Sequence, residues 1–543
     1  MFSSTSFRGI KLKFCSLARI YFLKLILSLV TTAVTFQAHS AESTDSTSQN
    51  FNWSQTPPVT ALPRVGIFGI PPAGPGYYSL WDLITGNKRE TPPISPYAPS
   101  ALLPTSAFDI DFRYLEKPDH EKDFFDPLKR IHLNDDWLLS FGGQFWYRYM
   151  HETDMRFSNA NAPDADNRYH LFRTRFHADL WYQDRFRLFA EFLDARTSGQ
   201  DLPALAIDKN YTDMLNLFAD IKLGQFLDGP AYMRIGRQEL LYGSQRLIST
   251  LDWANTRRTF QGIKTSWRTP AFDLDAFFMR PMTTEKNEFD NWDFDRNFFG
   301  LWGTYKPMKG QLLDLYILSL IDNRVVKSAD ILSGNILQGD SVLQTVGGRI
   351  AGDYNRFLYE LEGMYQFGRR SHLDISAFAV ASGVGYHLPF PMNPQFWLRY
   401  DFASGDSNPQ DGRTNTFNQL FPFGHYYLGY MDQVGRQNMH DFNAQVTLHP
   451  QPWFTFIAQY HRFYLANKRD FLYNAAGMGT LRDATGQSGS HIGDEIDFRV
   501  NFHVSRHHDV LVGYSKLFTG NFIENRRPGI SPDFFYTQYT FRF

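Results

Sequence analysis

The stretch GRQELLYGSQRLISTLDWANTRRTFQG, residues 236–262, places four arginines, one glutamate and one aspartate among apolar residues. Guanidinium groups stay charged at any physiological pH and pair with both oxygens of a carboxylate. An array of arginines therefore suits the binding of anionic solutes such as carboxylated sugars. This chemistry needs elements that leave the arginines facing water while the neighbouring apolar residues are covered.

Long strands with a two-residue period meet that need. In FRTRFHADLWY, residues 172–182, the apolar Phe172 and Phe176 alternate with Arg173 and Arg175. The same period recurs in residues 139–149, 396–402 and 495–504. Strands of about ten residues with one apolar and one polar face are typical of outer-membrane barrels. A soluble sandwich shows similar alternation but rarely needs so many segments of this length.

The lengths of the predicted connections also alternate. Short turns are predicted at Gln183–Arg185, Leu227–Pro230, Arg268–Ala271, Lys306–Gly310, Gly352–Arg356, Leu388–Pro394, His449–Trp453 and Ser505–Asp509. Long polar loops are predicted at His151–Asn167, Thr197–Thr212, Tyr242–Asn255, Pro281–Asp295, Ile321–Ser341, Ala403–Arg436, Leu465–Ser490 and Thr519–Pro532, and Gly368–His372 is short where a long loop is expected. Barrels have short periplasmic turns and long external loops, so the sequence predicts an all-β fold, a transmembrane antiparallel β-barrel of about 18 strands.

The N-terminus has the pattern of a secretory signal. Five basic residues up to Lys24 precede the apolar run LILSLVTTAV, and small residues close to Ser40 suit a signal peptidase. The run is shorter than the roughly 20 residues that span a bilayer, which disfavours a retained helical anchor. The single cysteine, Cys15, falls within the predicted signal. No later segment is apolar enough for a spanning helix, so only a closed barrel satisfies its own hydrogen bonds in a bilayer.

Three regions follow from these patterns: a signal peptide at residues 1–40, a Pro-rich prefix at residues 41–130 and the barrel at residues 131–543. Eleven prolines between Pro57 and Pro104 argue against ladder-forming strands in the prefix. Either a periplasmic lead or a plug in the lumen agrees with this composition. Aromatic clusters such as YYSLW favour partial order.

The chain ends with DFFYTQYTFRF, residues 533–543, in which an apolar phase runs from Phe535 to Phe543. A final strand that ends in phenylalanine resembles the signal by which outer-membrane proteins reach their assembly machinery. Aromatic residues make up 17% of the chain, as suits interface girdles, and the net charge of −2 disfavours binding of nucleic acid.

Three segments resemble the alginate-export family of outer-membrane channels: the arginine-rich stretch at residues 236–262, FRLFAEFLDAR at residues 186–196, and YDFASGDSNPQDGRTNTFNQLFPFGHYYLGYMDQVGRQN at residues 400–438. The similarity extends over residues 137–543. It implies an 18-stranded barrel with a charged, arginine-rich constriction that passes an anionic polysaccharide. The predicted location is the outer membrane of a Gram-negative-type bacterium.

The residues predicted to line the pore lie on the polar phase of their strands or in the arginine-rich stretch. They are Arg148, Arg173, Arg175, Arg187, Glu191, Arg237, Arg246, Arg257, Arg258, Arg349, Glu360, Arg399, Asp401, Asp497 and Arg499, with Lys264 as a further candidate. Carboxylates on the same face, among them Asp179, Glu362, Asp441 and Glu495, leave open a structural lattice of ion pairs. Because the cationic excess is modest, neutral sugars and small ions stay open as solutes.

Other functional classes are less well supported. Asp406, Asn408 and Asp411 loosely resemble calcium ligands, but the twelve-residue pattern and closing glutamate are missing, so no metal or cofactor is predicted. The loop that contains them, Ala403–Arg436, is predicted to fold over the pore mouth. No GxSxG, HExxH or phosphate-binding glycine loop occurs, which favours a channel over a lipid-processing enzyme. A structural or adhesin barrel with a blocked lumen is a further alternative. The predicted partners are outer-membrane lipid, lipopolysaccharide, the assembly machinery, an acidic polysaccharide or small hydrophilic solute, and a periplasmic export partner.

Overall fold

The computed structural model describes residues 51–55, 79–86, 106–120, 122–157, 166–308, 310–324, 340–408, 411–451 and 453–543. The predicted signal peptide, residues 1–40, and much of the Pro-rich prefix lie outside these residues. Within the described ranges, no helix has both the length and the apolar character needed to cross a membrane.

Eighteen antiparallel strands close into one barrel, which confirms the predicted fold class. The last strand pairs with the first, with Gln144 opposite Arg542 and Thr153 opposite Asp533. Closure removes the sheet edges and satisfies the backbone within a bilayer. The strands are β1 (Trp137–Thr153), β2 (Asp166–Tyr182), β3 (Phe186–Ser198), β4 (Asn210–Phe226), β5 (Gly229–Gln238), β6 (Phe260–Arg268), β7 (Phe272–Thr283), β8 (Arg296–Tyr305), β9 (Gln311–Asp322), β10 (Ser341–Tyr354), β11 (Phe357–Arg370), β12 (Leu373–His387), β13 (Gln395–Ala403), β14 (Met439–Gln451), β15 (Phe454–Leu465), β16 (His491–Ser505), β17 (His508–Thr519) and β18 (Asp533–Arg542).

Short elements complete the described part of the chain. Helix α1 (Leu80–Thr85) begins at a capping box between Ser79 and Asp82 and ends at Gly86, whose φ of 75° lies in the left-handed region that favours glycine. The others are helix α2 (Asn521–Arg526), 3-10 turns at Trp53–Gln55, Ala107–Asp109, Arg113–Glu116, Asp126–Leu128 and Gly424–Tyr426, and short strands at Ile131–His132, Asn291–Trp292, Arg413–Thr414, Phe471–Tyr473 and Gly479–Arg482.

Side chains alternate between the two faces of the wall, as the two-residue period predicts. On β2, Phe172 and Phe176 are 37% and 46% exposed, whereas Arg173 and Arg175 are 2% and 6% exposed. Large apolar side chains are exposed in the same way on the other strands, and they form the lipid-facing belt of a membrane barrel. They include Leu188, Leu217, Ile235, Ile263, Leu301, Leu315, Ile350, Leu361, Phe378, Leu398, Phe442, Phe498 and Phe535.

The connections differ between the two ends of the barrel. At one end, called the turn end, β2 joins β3 through residues 183–185 and β4 joins β5 through residues 227–228. At the other, called the loop end, the connections are long except for residues 371–372 between β11 and β12, which confirms the short exception. The long ones span residues 154–165, 199–209, 239–259, 284–295, 323–340, 404–438, 466–490 and 520–532.

Candidate pore constriction

Two of the long loops meet inside the barrel. We call residues 239–259 the arginine loop and residues 404–438 the aromatic loop. The backbone N–H of Phe421 donates to the carbonyl of Leu247 at 2.9 Å, and the N–H of Ser249 donates to the carbonyl of Phe421 at 3.0 Å. Each loop therefore supplies the backbone partners of the other, and the pair forms a cross-piece in the lumen.

This arrangement corrects the predicted placement of both loops. Strand β5 ends at Gln238 and β6 begins at Phe260, so the loop is longer than the predicted Tyr242–Asn255 and includes Arg257 and Arg258. Arg257 is only 3% exposed, although the sequence places it in water. The loops turn inward because their charged and aromatic side chains find partners on the luminal wall, and the aromatic loop does not simply cover the mouth.

Arg246 fastens the arginine loop to the wall of β10 and β11. Its guanidinium donates to Glu360 Oε1 at 2.7 Å and to Glu362 Oε2 at 3.1 Å. Arg349 donates to the same Glu360 at 2.7 Å and to Asp314 Oδ2 at 2.9 Å. Burial of these charges is tolerable because each guanidinium meets carboxylates in hydrogen-bonding geometry. Arg246 and Arg349 thus belong to the ion-pair lattice that the sequence leaves open.

Arg257 holds the opposite limb of the arginine loop together. Its Nε donates to Glu239 Oε1 at 2.5 Å, and its Nη1 contacts the carboxylate of Asp252. Arg173 on β2 reaches the same carboxylate at 3.0 Å and donates to the Ala254 carbonyl at 3.0 Å. The arginine loop is therefore closed on itself and bound to the wall by buried charges.

A stack of planar groups joins the two loops to β1. The guanidinium of Arg148 lies 3.6 Å from the ring centroid of Trp253 in the arginine loop. The ring of His425 in the aromatic loop stacks on Trp253 at 3.7 Å, and Tyr430 follows at 5.1 Å. Cation–π and stacking contacts of this kind stabilise a fixed geometry. Trp253 is thus the contact through which the wall and both loops meet.

We expect Trp253→Ala to loosen the cross-piece, because its removal separates Arg148 from His425. Single-channel conductance should rise by about twofold, with more fluctuation of the open level. The control is Trp292→Ala, which removes a tryptophan that is 44% exposed at the loop end. Equal conductance of the two variants would contradict a role of the stack in the constriction.

Four of the predicted arginines differ from the rest, because none of them forms an ion pair with a carboxylate among the described residues. Arg148 donates to Gln538 Oε1 and to the Trp253 carbonyl, and Arg258 donates to the Pro422 carbonyl at 3.1 Å. The four are Arg148, Arg258, Arg399 and Arg499. Their partners are amides, carbonyls and aromatic rings, so their charge is not cancelled locally.

Of these four arginines, Arg399 has the most donor atoms without a hydrogen-bond partner. Its Nη1 donates to Asn443 Oδ1 at 2.9 Å and to Gln445 Oε1 at 3.0 Å, while its Nε and Nη2 have no hydrogen-bond partner. Arg499 on β16 lies 5.0 Å from the ring of Tyr430, and its Nε likewise has no partner. These donor atoms are buried, and no acceptor in the described part of the protein compensates them.

The predicted carboxylates are held by protein donors. Asp401 accepts from Arg436 Nη2 at 2.9 Å, and Glu191 accepts from Arg175 Nε at 2.8 Å. Asp497 accepts from the backbone N–H of Tyr430 at 3.4 Å. The aromatic loop approaches this part of the wall closely at Gly429, where a Cβ atom would lie 2.4 Å from the Glu495 carboxylate and φ is +82°. Glycine is required there for the loop to reach the wall.

Arg187 and Lys264 lie on the luminal face near the turn end. Arg187 pairs with Asp179 through Nε at 2.6 Å and Nη2 at 2.8 Å, and Lys264 lies opposite Arg234 on β5. Arg187 is only 4% exposed. Arg187 therefore belongs to the lattice of ion pairs near the turn end.

Arg237 lies elsewhere than predicted. Its backbone pairs with Leu217, whose side chain is 44% exposed on the outer face of the barrel. The Arg237 side chain therefore also starts from the outer face. Its guanidinium donates to Asp213 Oδ2 and to the Asp290 carbonyl, each at 2.7 Å. A charged residue tolerates this position because loop carbonyls and water are within reach at the rim. Arg237 fastens residues 284–295 to the barrel instead of lining the lumen.

This fastening should depend on pH through Asp290. Burial and the neighbouring Asp213 raise the pKa of Asp290 to about 7. A raised pKa means that the folded state binds the proton more tightly, so this stabilisation is present below about pH 4 and is lost as the pH rises through about 7. Protease cleavage within residues 284–295 should be faster at about pH 8 than at about pH 6. Asp290→Asn should remove this difference beyond the protease's own pH dependence, and an unchanged difference would contradict the assignment.

The sequence does not predict several residues of the constriction, among them Trp253, His425 and Arg436. Trp253 stands between the predicted charges of the arginine-rich stretch, but its ring gives no sign in the sequence of a partner 172 positions away. Within the described residues, no group of three or more His, Cys, Asp or Glu side chains is arranged to hold a metal ion.

Comparison with known proteins adds independent information. A family model described as alginate export matches residues 137–537. Among solved structures, Pseudomonas aeruginosa OccD3 (OpdP) has a TM-score of 0.51 at 11% identity and covers 75% of this chain and 91% of its own. Pseudomonas aeruginosa OpdO has a TM-score of 0.49 at 11% identity, with 75% and 97% covered. At such identities the likeness concerns the fold alone. No curated protein sequence matches the chain.

Proposed function

The chain belongs to the alginate-export family, and on that premise we propose that it conducts anionic polysaccharide or acidic sugars past luminal arginines. The barrel is an outer-membrane channel that lies among lipid and lipopolysaccharide. What we propose beyond the channel itself is the kind of solute and the residues that bind it.

The observation that carries the proposal is that two donor atoms of the luminal Arg399 have no hydrogen-bond partner. Its Nε and Nη2 atoms have no partner, and its nearest polar contacts are the amides of Asn443 and Gln445. Both atoms are buried in this structure, and we infer that a carboxylate pairs with them in a fork once the surrounding side chains move. Arg499 has one further donor atom without a partner, which lies buried beside the ring of Tyr430.

The paired arginines have a different role in this proposal. Arg173, Arg175, Arg246, Arg257 and Arg349 are each neutralised by a carboxylate. They hold the wall and the loops in place without adding net charge to the path. Weak net attraction suits conduction, because a strongly cationic lumen would retain a polyanion.

The proposal also assigns roles to the N-terminal residues, the barrel, the last strand and a periplasmic partner. Residues 1–40 act as a secretory signal, and residues 131–543 form the barrel. The last strand, which ends beside Phe543, serves as the assembly signal. A periplasmic partner delivers the polymer to the turn end. The lipid-processing enzyme and the blocked structural barrel are not favoured, because the family and the unpaired arginines both support passage of a solute.

Block of single-channel current by short uronic-acid oligomers tests this function. The refolded protein in a planar bilayer should show interruptions of the open current when the oligomer is added, with a frequency that rises with its concentration. A neutral oligosaccharide of equal length is the matched control and should block far less. Equal block by both oligomers would contradict the anionic preference while leaving the channel itself intact.

A further inference from the structure

A phenylalanine of the N-terminal prefix is inserted into the barrel wall from the luminal side. Phe108 is 6% exposed, and its ring meets Phe189 and Phe218 edge-on at centroid distances of 5.8 and 5.3 Å. Phe189 and Phe218 lie on the luminal face of β3 and β4, in the half of the barrel nearer the turn end. The prefix therefore enters the lumen and does not merely lead up to it.

Two arginines complete the socket around Phe108. Arg187 Nη2 donates to the Phe108 carbonyl at 2.9 Å, and the Arg234 guanidinium lies 4.6 Å from the Phe108 ring. Both arginines pair with Asp220, Arg234 at 2.7 Å and Arg187 at 3.6 Å. We call Phe189, Phe218, Arg187 and Arg234 the Phe108 socket. The Phe108 ring packs on the two phenylalanines of the socket, and the Phe108 carbonyl accepts a hydrogen bond from Arg187. This combination of contacts indicates specific docking.

The prefix is attached at further points along the turn end. Trp53 is buried beside Leu138 and Trp181 on the luminal face, and its Nε1 donates to the Asp135 carbonyl at 3.1 Å. Arg130 Nη2 donates to the Trp53 carbonyl at 2.5 Å. These contacts lie beside β1 and β2, next to the socket on β3 to β5. They hold the prefix across adjacent strands of one side of the barrel.

A further contact extends this arc in the other direction. The Asp123 carboxylate lies 3.0 Å from His507 Nε2 in the turn between β16 and β17, and Phe125 packs on Phe543 at 5.1 Å. The attached strands thus form a continuous arc from β16 through β18 and β1 to β5. The other strands of the barrel, from β6 to β15, are not reached by these contacts.

A small cavity separates the docked segment from the neighbouring strands β6, β7 and β9. A cavity of about 50 Å³ is bounded by Ser106 and Phe108 on one side and by Lys264, Asp275 and Asp314 on the other. A volume of this size holds a few water molecules. This cavity is too small for a sugar residue, so it admits no polymer while Phe108 stays in its socket.

We propose that residues 106–120 and 122–130 form a plug that is held in the turn end of the lumen by Phe108 and must leave its socket before a solute passes. This proposal rests on the proposed channel function and adds a closed state to it. The plug occupies the face that bears Arg187 and Arg234. Its release therefore both widens the path and exposes two guanidinium groups to the solute.

Conductance of the full-length chain with Phe108→Ala tests the plug. Loss of the ring should weaken docking, so open events should be more frequent and the mean conductance at least about twofold higher than for the unmodified chain. The matched control is Phe124→Ala in the same segment, because Phe124 is 86% exposed and should leave the conductance unchanged. Retention of the compact, heat-modifiable band in gels shows that each barrel is folded.

A reversible cross-link gives the converse test. In a Cys15→Ala background, which removes the single native cysteine, the pair Phe108→Cys and Phe218→Cys should form a disulfide under mild oxidation. The oxidised channel should be held at low conductance, and a reductant should raise it. Failure of the pair to cross-link in a folded barrel would overturn the docking.

The two proposals fail in distinguishable ways. Conductance of Phe108→Ala that equals that of the unmodified chain and of Phe124→Ala would overturn the plug and leave the channel intact. Silence of all three chains in folded form would count against both the plug and the channel. Steps in all three chains, with a higher mean conductance only in Phe108→Ala, would support both.

Discussion

Replacing Arg257 by glutamine should lower the free energy of unfolding by about 3–5 kcal/mol, because it leaves the buried Glu239 carboxylate without its cation. Arg257 is the partner of both Glu239 and Asp252, and Glu239 is only 1% exposed. The loss is larger than for a surface pair because the remaining carboxylate cannot regain its water. Urea unfolding of the barrel in lipid vesicles, followed by tryptophan fluorescence, measures the change.

The same variant should alter the channel. Without Arg257 the arginine loop loses its internal closure, and the cross-piece that it forms with the aromatic loop should become mobile. We expect open-channel noise to increase together with the conductance. Arg462→Gln is the matched control, because Arg462 also pairs with an aspartate, Asp494, but is 48% exposed. Equal unfolding curves for both variants would show that the buried pairs do not hold the loop.

The second large effect concerns charge selectivity. Arg399→Gln combined with Arg499→Gln should lower the ratio of anion to cation permeability at least about twofold, because these cations are not cancelled by nearby carboxylates. The unfolding free energy should change little, since no carboxylate loses its partner. Reversal potentials in a salt gradient report the ratio.

Two controls separate local from global charge in that experiment. Arg399→Lys with Arg499→Lys keeps both charges and should preserve most of the selectivity. Arg196→Gln removes a charge from a side chain that is 62% exposed, and it should not shift the reversal potential. A shift of equal size in Arg196→Gln, or none in the double glutamine variant, would contradict the assignment of Arg399 and Arg499 to the path.

The barrel could be predicted from the sequence because its signals are local. The alternation of Phe172 and Phe176 with Arg173 and Arg175 follows from strand geometry alone, and the structure confirms it. Loop lengths identify the two ends for the same reason. The final strand, which ends at Arg542, was placed correctly because each strand pairs with its chain neighbour until the barrel closes.

The constriction could be predicted only in part, because its contacts join distant segments. The arginines on strands follow from the two-residue period, but the period does not reveal which of them meets a carboxylate. Arg246 pairs with Glu360, 114 positions away, through a loop whose inward fold leaves no local pattern. Arg237 was misplaced because a charged residue at the rim finds carbonyl partners outside the lumen.

The reversal potential of the unmodified, refolded protein in a planar bilayer with a salt gradient tests the central claim most directly. The claim is that a closed barrel encloses an aqueous path whose unpaired arginines favour anions. It predicts discrete conductance steps and a reversal potential of the sign that anion passage produces. A folded barrel that shows no steps, or whose reversal potential has the sign of cation passage, would contradict it.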